Sequence, residues 1–325
     1  MKKVTGFLGG AALVASLALS GSVVSASSTK SAHKFTIGVS MYSLTNPYFV
    51  AMEKSLIQTG EKYGMTVHVE GSNNDQATQL SQIDSFINQK VDALVIVPQD
   101  SKSIVTAVKE ANQAHIPVFF IDSDANQTVM KQQGASEVEV VESNNYQLGV
   151  DCGEELVSYL GKNPNAEIGV VNFPTALSTQ LRDEGFMSVV SKYKGIKIVD
   201  TQNGDVSEVT GLQVASEMLQ GHPQIKAIFS DTEPAAIGVM QAIKSANDTG
   251  KVAVFGEASA KTTIQDIEQN SIFKAGAQQR PILEAQVEIQ NIHKYLTGGK
   301  VPKTVLIPVP KVTKSNAKQC YADAF

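Results

Sequence analysis

Short apolar runs alternate with segments of helical period along almost the whole chain. The runs FTIGVS, MTVHVE, ALVIVP and PVFFID come first, followed by VEVVES, EIGVVNF, IKIVDTQ, KAIFSD, VAVFGE and FKAGAQQ. Helix-length segments separate them, among them 75–89, 101–114, 145–160, 178–193, 207–220 and 234–247. This alternation is the mark of βαβ units, which wind helices onto both faces of a parallel sheet. So many strands would crowd one twisted sheet, and the pattern therefore predicts an α/β protein with two smaller doubly wound parallel sheets. The break is expected near 142–145, where a strand leads into a new helix after the loop 123–137.

Ligands of such sheets bind beyond the carboxyl ends of the strands, which reduces the chain to a short set of candidates. In the first half these ends are Tyr42 to Phe49, Pro98-Gln99-Asp100 and Asp122-Ser123-Asp124. In the second half they are Phe173 to Gln180, Gly204 to Val206, Asp231-Thr232-Glu233, Glu257-Ala258 and Gln278-Gln279-Arg280. Asn46-Pro47 reads as a helix cap followed by proline at the first helical position. Phe49, Met52 and Leu56 recur at helical spacing and form a buried stripe, whereas Tyr48 lies off it. Asp122 and Asp124 read either as solvated turn formers or as carboxylates that accept strong bonds from neutral hydroxyls. The chain has no G-x-S-x-G elbow and no glycine-rich phosphate loop, so polar strand ends without catalytic motifs favour binding over turnover.

Composition adds an address and removes some partners. Residues 1–26 begin Met-Lys-Lys, continue through an apolar stretch and end Val-Ser-Ala, the form of a secretory signal cleaved after Ala26, which predicts export to a periplasm. Loss of Lys2 and Lys3 takes the formal charge from −5 to −7, with no basic block for nucleic acid or lipid. The five histidines are scattered and the two cysteines, Cys152 and Cys320, lack zinc-type spacing, so neither a metal nor another cofactor is expected.

The motifs NPYF, ALVIVPQD, ANQAHIPVFFIDSD, RDEGF, AIFSDTEPAAIG, VFGEA and QQRP, in that order, resemble the ribose-type periplasmic sugar-binding proteins that feed ABC importers. The resemblance covers about 34–312 and implies the type I periplasmic binding protein architecture: two Rossmann-like lobes, joined by a three-crossing hinge, that close on one small molecule. The crossings would fall near Ser143-Asn144, Gln279-Arg280 and Pro308-Val309, giving lobes 34–143 plus 280–308 and 144–279 plus 309–325. Carried over residue by residue, Tyr48 and Phe49 become contacts to a sugar ring, with Asn46, Asp122 and Gln279 as hydroxyl ligands. The implied partners are a small neutral sugar or polyol, an ABC permease and a chemoreceptor, for a monomeric protein that is not an enzyme.

Several positions depart from the family pattern. Ser123 replaces an arginine, Gln180 replaces another and leaves Arg182 a structural role, Ala258 replaces an aspartate preceded here by Glu257, Val206 replaces an aromatic, and Thr232 replaces an asparagine. Gln180, Thr232 and Glu257 would then meet the hydroxyls of a sugar of different stereochemistry or of a polyol. The IDSD stretch that carries Asp124 and the PAA after the D-T-E turn are similar to an autoinducer-2 receptor of the same fold, the alternative reading. Against it stand Tyr42 and Thr179, where that branch has a lysine and an acid. A carbohydrate-active enzyme is the remaining alternative. Cys152 and Cys320 would share the second lobe in an oxidising compartment, so a bridge pinning the tail is expected, with a buried, unpaired Cys152 and a disordered Cys320 as the alternative.

Overall fold

The computed structural model describes residues 34–325, and the expected export signal at 1–26 lies outside the described residues. The strands are β1 (Thr36–Met41), β2 (Thr66–Gly71), β3 (Ala93–Ile96), β4 (Val118–Ile121), β5 (Glu139–Ser143), β6 (Ala166–Asn172), β7 (Ile196–Asn203), β8 (Ile225–Ser230), β9 (Ala253–Glu257), β10 (Phe273–Ala277), β11 (Thr304–Ile307) and β12 (Lys311–Thr313). The helices are α1 (Pro47–Lys62), α2 (Gln76–Gln89), α3 (Val105–Gln113), α4 (Gln127–Gln133), α5 (Asn145–Leu160), α6 (Leu177–Val190), α7 (Glu208–Gly221), α8 (Glu233–Ser245), α9 (Lys261–Glu268), α10 (Pro281–Leu296) and α11 (Ala317–Cys320).

Two six-stranded sheets result, ordered β11-β5-β4-β3-β1-β2 and β12-β10-β9-β8-β6-β7. All pairings are parallel except that of β10 with β12. The central strands β3 and β4, ALVI and VFFI, are buried at every position, as strands covered on both faces must be. One face of the first sheet packs with residues of α1 and α10, the other with α2 and α3. In the second sheet α5 and α6 cover one face, and α7, α8, α9 and α11 the other. The edge strands β11 and β12 are short and only half-buried, so they carry too little apolar periodicity to be read as runs. The chain passes between sheets after β5, after β10 and between β11 and β12.

Both sheets reverse their winding beside their first strand, between β1 and β3 and between β6 and β8. At such a switch point the loops part in opposite directions and open a crevice at the strand ends. The geometry there depends on one close helix contact. A Cβ at Gly149 of α5 would lie 1.9 Å from the Arg182 carbonyl oxygen, and one at Gly185 of α6 would lie 2.0 Å from that of Tyr146. Only hydrogen atoms fit at those two points, and the contact fixes where α6 carries Arg182.

The expected Cys152–Cys320 bridge does not form: both cysteines are free and buried. Cys152 belongs to the core under α5 and α6, where its thiol donates to the Gly256 carbonyl at 3.4 Å. Cys320 belongs to the core under α8 and α9. The sheet itself stands between them. Assignment to one lobe did not reveal on which face of its sheet each residue lies.

Two outcomes are expected. A thiol reagent should find both cysteines only after unfolding, and mapping under non-reducing conditions should return no linked peptide. Gly149→Ala should destabilise the protein by about 1–3 kcal/mol, the scale of overpacking, in chemical denaturation.

Candidate functional site

The strand ends of the two lobes face each other across one cavity. Eight of the residues singled out in the sequence line it: Tyr42, Asn46, Tyr48, Phe49, Asp122, Thr232, Glu257 and Gln279. Two do not. Asp124 accepts bonds from the Ala125 N–H and the Gln127 amide, capping its own turn. The Gln180 amide, in the first turn of α6, donates to the Pro174 carbonyl of the preceding loop at 2.7 Å.

Local sequence explains how the first lobe presents its groups. Asn46 Oδ1 accepts the Tyr48 N–H at 3.0 Å and Pro47 opens α1, so the cap reading holds while Asn46 also borders the cavity. Asp122 ends β4 with φ +69°, a left-handed conformation that aspartate tolerates better than most residues. Its Oδ1 accepts from the Tyr48 hydroxyl at 2.8 Å, and Oδ2 has no protein partner among the described residues. Tyr48 and Phe49 are both buried and meet edge to face, with centroids 5.1 Å apart. Tyr42 lies 5.8 Å from Phe49 and 5.9 Å from Phe173 of the second lobe, so an aromatic wall runs across the cleft.

The second lobe contributes a group that the sequence reading set aside as structural. Arg182 lines the cavity, and its guanidinium is buried. Nε donates to Asn145 Oδ1 at 2.9 Å, and Nη1 donates to the Asp231 carbonyl at 2.8 Å and to Glu257 Oε2 at 3.1 Å. Burial opposes this charge, but Glu257, Asp122 and Asp231 outweigh it and raise the pKa. Glu257 also accepts from the Ser259 hydroxyl, so this cavity-lining carboxylate holds Arg182 in place. The Thr232 hydroxyl donates to the Asp205 carbonyl at 3.2 Å, which leaves its oxygen lone pairs as acceptors at the cavity wall. A usable signal was in the sequence: Arg182 sits on the buried face of α6 with Ser178, Gly185, Phe186 and Val189, where an unpaired charge could not stay.

At the crossings the polar groups form a knot. Gln279 Nε2 lies 3.3–3.4 Å from Ser143 Oγ, Tyr48 Oη and Asp122 Oδ1. Glu284 accepts from the Ser143 hydroxyl at 2.5 Å and lies 3.1 Å from the Tyr48 hydroxyl. Burial, reinforced by the charge of Asp122, raises the Glu284 pKa well above the usual carboxyl range. A protonated Glu284 can donate to the Tyr48 oxygen while Tyr48 donates to Asp122. The lobes also touch directly: the Ser178 N–H donates to Ser123 Oγ at 3.2 Å, and the Tyr42 hydroxyl donates to Asp205 at 3.3 Å.

A family model described as periplasmic binding protein domain matches residues 37–300. The chain belongs to this family. Its similarity to the ribose import binding protein of Bacillus subtilis (strain 168) is 34% identity over 283 residues, 86% of this chain and 88% of that one. The D-apiose import binding protein of Paraburkholderia graminis is 26% identical, over 84% of this chain and 85% of its own length. Among solved structures, an ABC transporter solute binding protein from Bacillus halodurans C-125 with bound myo-inositol superposes with a TM-score of 0.82. It is 20% identical, over 91% of this chain and all of its own. These periplasmic binding proteins share the two-lobed fold, and the import binding relatives place this chain among transport binding proteins.

The buried acids dictate a pH dependence. Burial raises Glu142 and Glu233 to about 7 and Asp183 to about 6. Their ordinary values lie near pH 4, so between about 4 and 7 the folded chain holds protons that the unfolded chain has released. Stability contributed by these protons is present below that window and lost as the pH rises through it. Thermal melts should give a higher Tm at pH 5 than at pH 8; a Tm rising steadily across the window would contradict this.

Proposed function

We propose that this periplasmic binding protein takes one neutral, hydroxylated molecule, a sugar or sugar alcohol, between its lobes and delivers it to the permease of an ABC importer. One juxtaposition carries the reading. Flat rings from both lobes, Tyr42, Phe49 and Phe173, stand beside Asp122, which has one carboxylate oxygen without a protein partner, and Arg182, whose charge Glu257 already meets. A sugar has C–H faces that suit rings and a hydroxyl rim that suits a carboxylate and a guanidinium. Among the described residues an anionic ligand would find no unpaired cation there. The names of the relatives, import binding proteins for ribose and D-apiose, support the same chemistry. So do neighbouring structures with bound D-allose and myo-inositol.

Export through cleavage after Ala26, a periplasmic location, a monomeric state and a chemoreceptor that reads the closed form complete the proposal. It has no catalytic step, and turnover of chromogenic glycosides or esters would overturn that part. Closure would bend the three crossings, since contacts such as Ser123 with Ser178 exist only when the lobes meet.

A thermal-shift panel of pentoses, hexoses, polyols and autoinducer-2 should yield one strong stabilisation among the sugars or polyols. A response to autoinducer-2 alone would move the ligand to that alternative, and a flat panel would overturn the reading. Asp122→Asn should weaken binding of the responding sugar by about 1.5–3 kcal/mol, the range for a hydrogen bond to a charged group. Small-angle scattering should show a smaller radius of gyration with that sugar than without it.

A further inference from the structure

The chain after β12 packs as a tail against the second lobe. Asn316 starts it with a tight turn, its amide donating to the Lys311 carbonyl at 2.7 Å and its Oδ1 accepting the Thr313 N–H at 2.7 Å. Ala317, Cys320 and Ala324 are buried in the second-lobe core. Two further bonds tie the tail to the second crossing. The Gln278 amide donates to the Cys320 carbonyl at 2.9 Å, and Arg280 pairs with Asp323 at 2.6 Å.

The last anchored residue does something different. The Phe325 carbonyl accepts the Lys261 N–H at the start of α9, at 3.3 Å, so its backbone belongs to the second lobe. Its ring packs instead against the first-lobe core. There it meets the Tyr48 ring edge to face, with centroids 5.9 Å apart and planes at 77°. Tyr48 is thus flanked by two edge contacts, Phe49 of its own helix and Phe325 of the other lobe. This is the same tyrosine whose hydroxyl donates to Asp122.

We propose that Phe325 is a positioning residue for the sugar site and a latch between the lobes: it holds the Tyr48 ring so that its hydroxyl is aimed at Asp122, and it favours the closed arrangement in which second-lobe backbone and first-lobe ring are in contact. The first half follows from geometry. A phenol ring turns about its own axis and about the Cα–Cβ bond, and edge contacts on two sides restrict both motions. The second follows from the anchors. Opening the lobes moves α9 relative to α1, so the ring must leave Tyr48 or the tail must leave Lys261. Whatever stabilises this contact therefore adds to closure, and only such a difference between the two states shifts their populations.

The inference rests on the proposed sugar site, and its test includes a readout that needs no sugar. Backbone hydrogen exchange of unliganded protein is compared for wild type, Phe325→Ala and Phe325→Tyr. Titration calorimetry with D-ribose, D-allose and myo-inositol follows. Phe325→Ala is expected to speed exchange across residues 46–52 of the first lobe. It should also weaken the responding sugar by roughly 3- to 10-fold, the scale of one aromatic pair, chiefly through faster dissociation. Phe325→Tyr should restore both. A tail that merely staples the second lobe would lower the Tm while leaving exchange at 46–52 and the sugar Kd at wild-type values, and that result overturns the proposal. If wild type binds none of these three compounds, the calorimetry takes the compound that responds in the thermal-shift panel, a flat panel overturns the proposed ligand class, and the exchange comparison decides the latch in either case. Should Phe325→Ala not fold, Phe325→Leu, which keeps apolar volume without a ring edge, gives the same comparison.

Discussion

A buried guanidinium governs the geometry of this molecule. Arg182 is taken out of water, which costs several kcal/mol for an ion of that size unless every bond it makes is well placed. Its partners come from separate elements: Asn145 at the start of α5, the carbonyl of Asp231 after β8 and the carboxylate of Glu257 at the end of β9. Those ends must therefore converge on one point, and α5 must lie close enough to α6 for Gly149 and Gly185 to touch the facing backbone. Because the pair is fixed rather than free to reorganise, it serves position more than stability. Its charge also reaches Asp122 of the other lobe, opposing the rise that burial imposes on that carboxyl.

Around it the protein buries more acids than cations, and the fold accommodates them in two ways. Some are met by donors, as Glu257 is by Arg182 and the Ser259 hydroxyl. In others burial favours the protonated form. Glu288 is buried on α10 with neither carboxyl oxygen partnered among the described residues, and its pKa is raised well above the usual range. Glu284, one turn earlier, is raised as well and joins Ser143, Tyr48 and Gln279 where two crossings run side by side. Hinge and site thus share hydrogen bonds, so a change at one is felt at the other. A binding protein whose ligand must close the lobes requires such sharing, since affinity then depends on the relative population of the closed state.

The sequence by itself determined the class of fold and the level at which the site lies. Alternating apolar runs and helical segments allow little except doubly wound sheets, and in such sheets the strand ends are the open face. That is why Asn46, Tyr48, Phe49, Asp122 and Gln279 could be named from their place after a strand. The family motifs in order then gave the kind of protein. What a strand end cannot show is which way a side chain turns. Asp124, three residues past β4, and Gln180, in the first turn of α6, were named by the same rule as Asp122, yet each bonds a near neighbour in the chain instead of lining the cavity.

Only the tertiary structure decided the rest, where the partners are far apart in the chain. Arg182 reads as structural, and only the fold shows what it holds together, Asn145, Asp231 and Glu257, and that it does so at the cavity wall. Glu257 and Thr232 read as ligand groups from the sequence, and only the fold shows that each, at the cavity wall, also bonds a protein partner. Cys152 and Cys320 read as a pair until the sheet is seen between them. Phe325 lies beyond every recognisable motif and meets Tyr48 across the whole length of the chain. Local sequence sets period, caps and strand ends because those depend on neighbours within a few residues. Which polar groups satisfy one another out of water depends on how the sheets stack and where the chain crosses, and that is settled only when the lobes have folded.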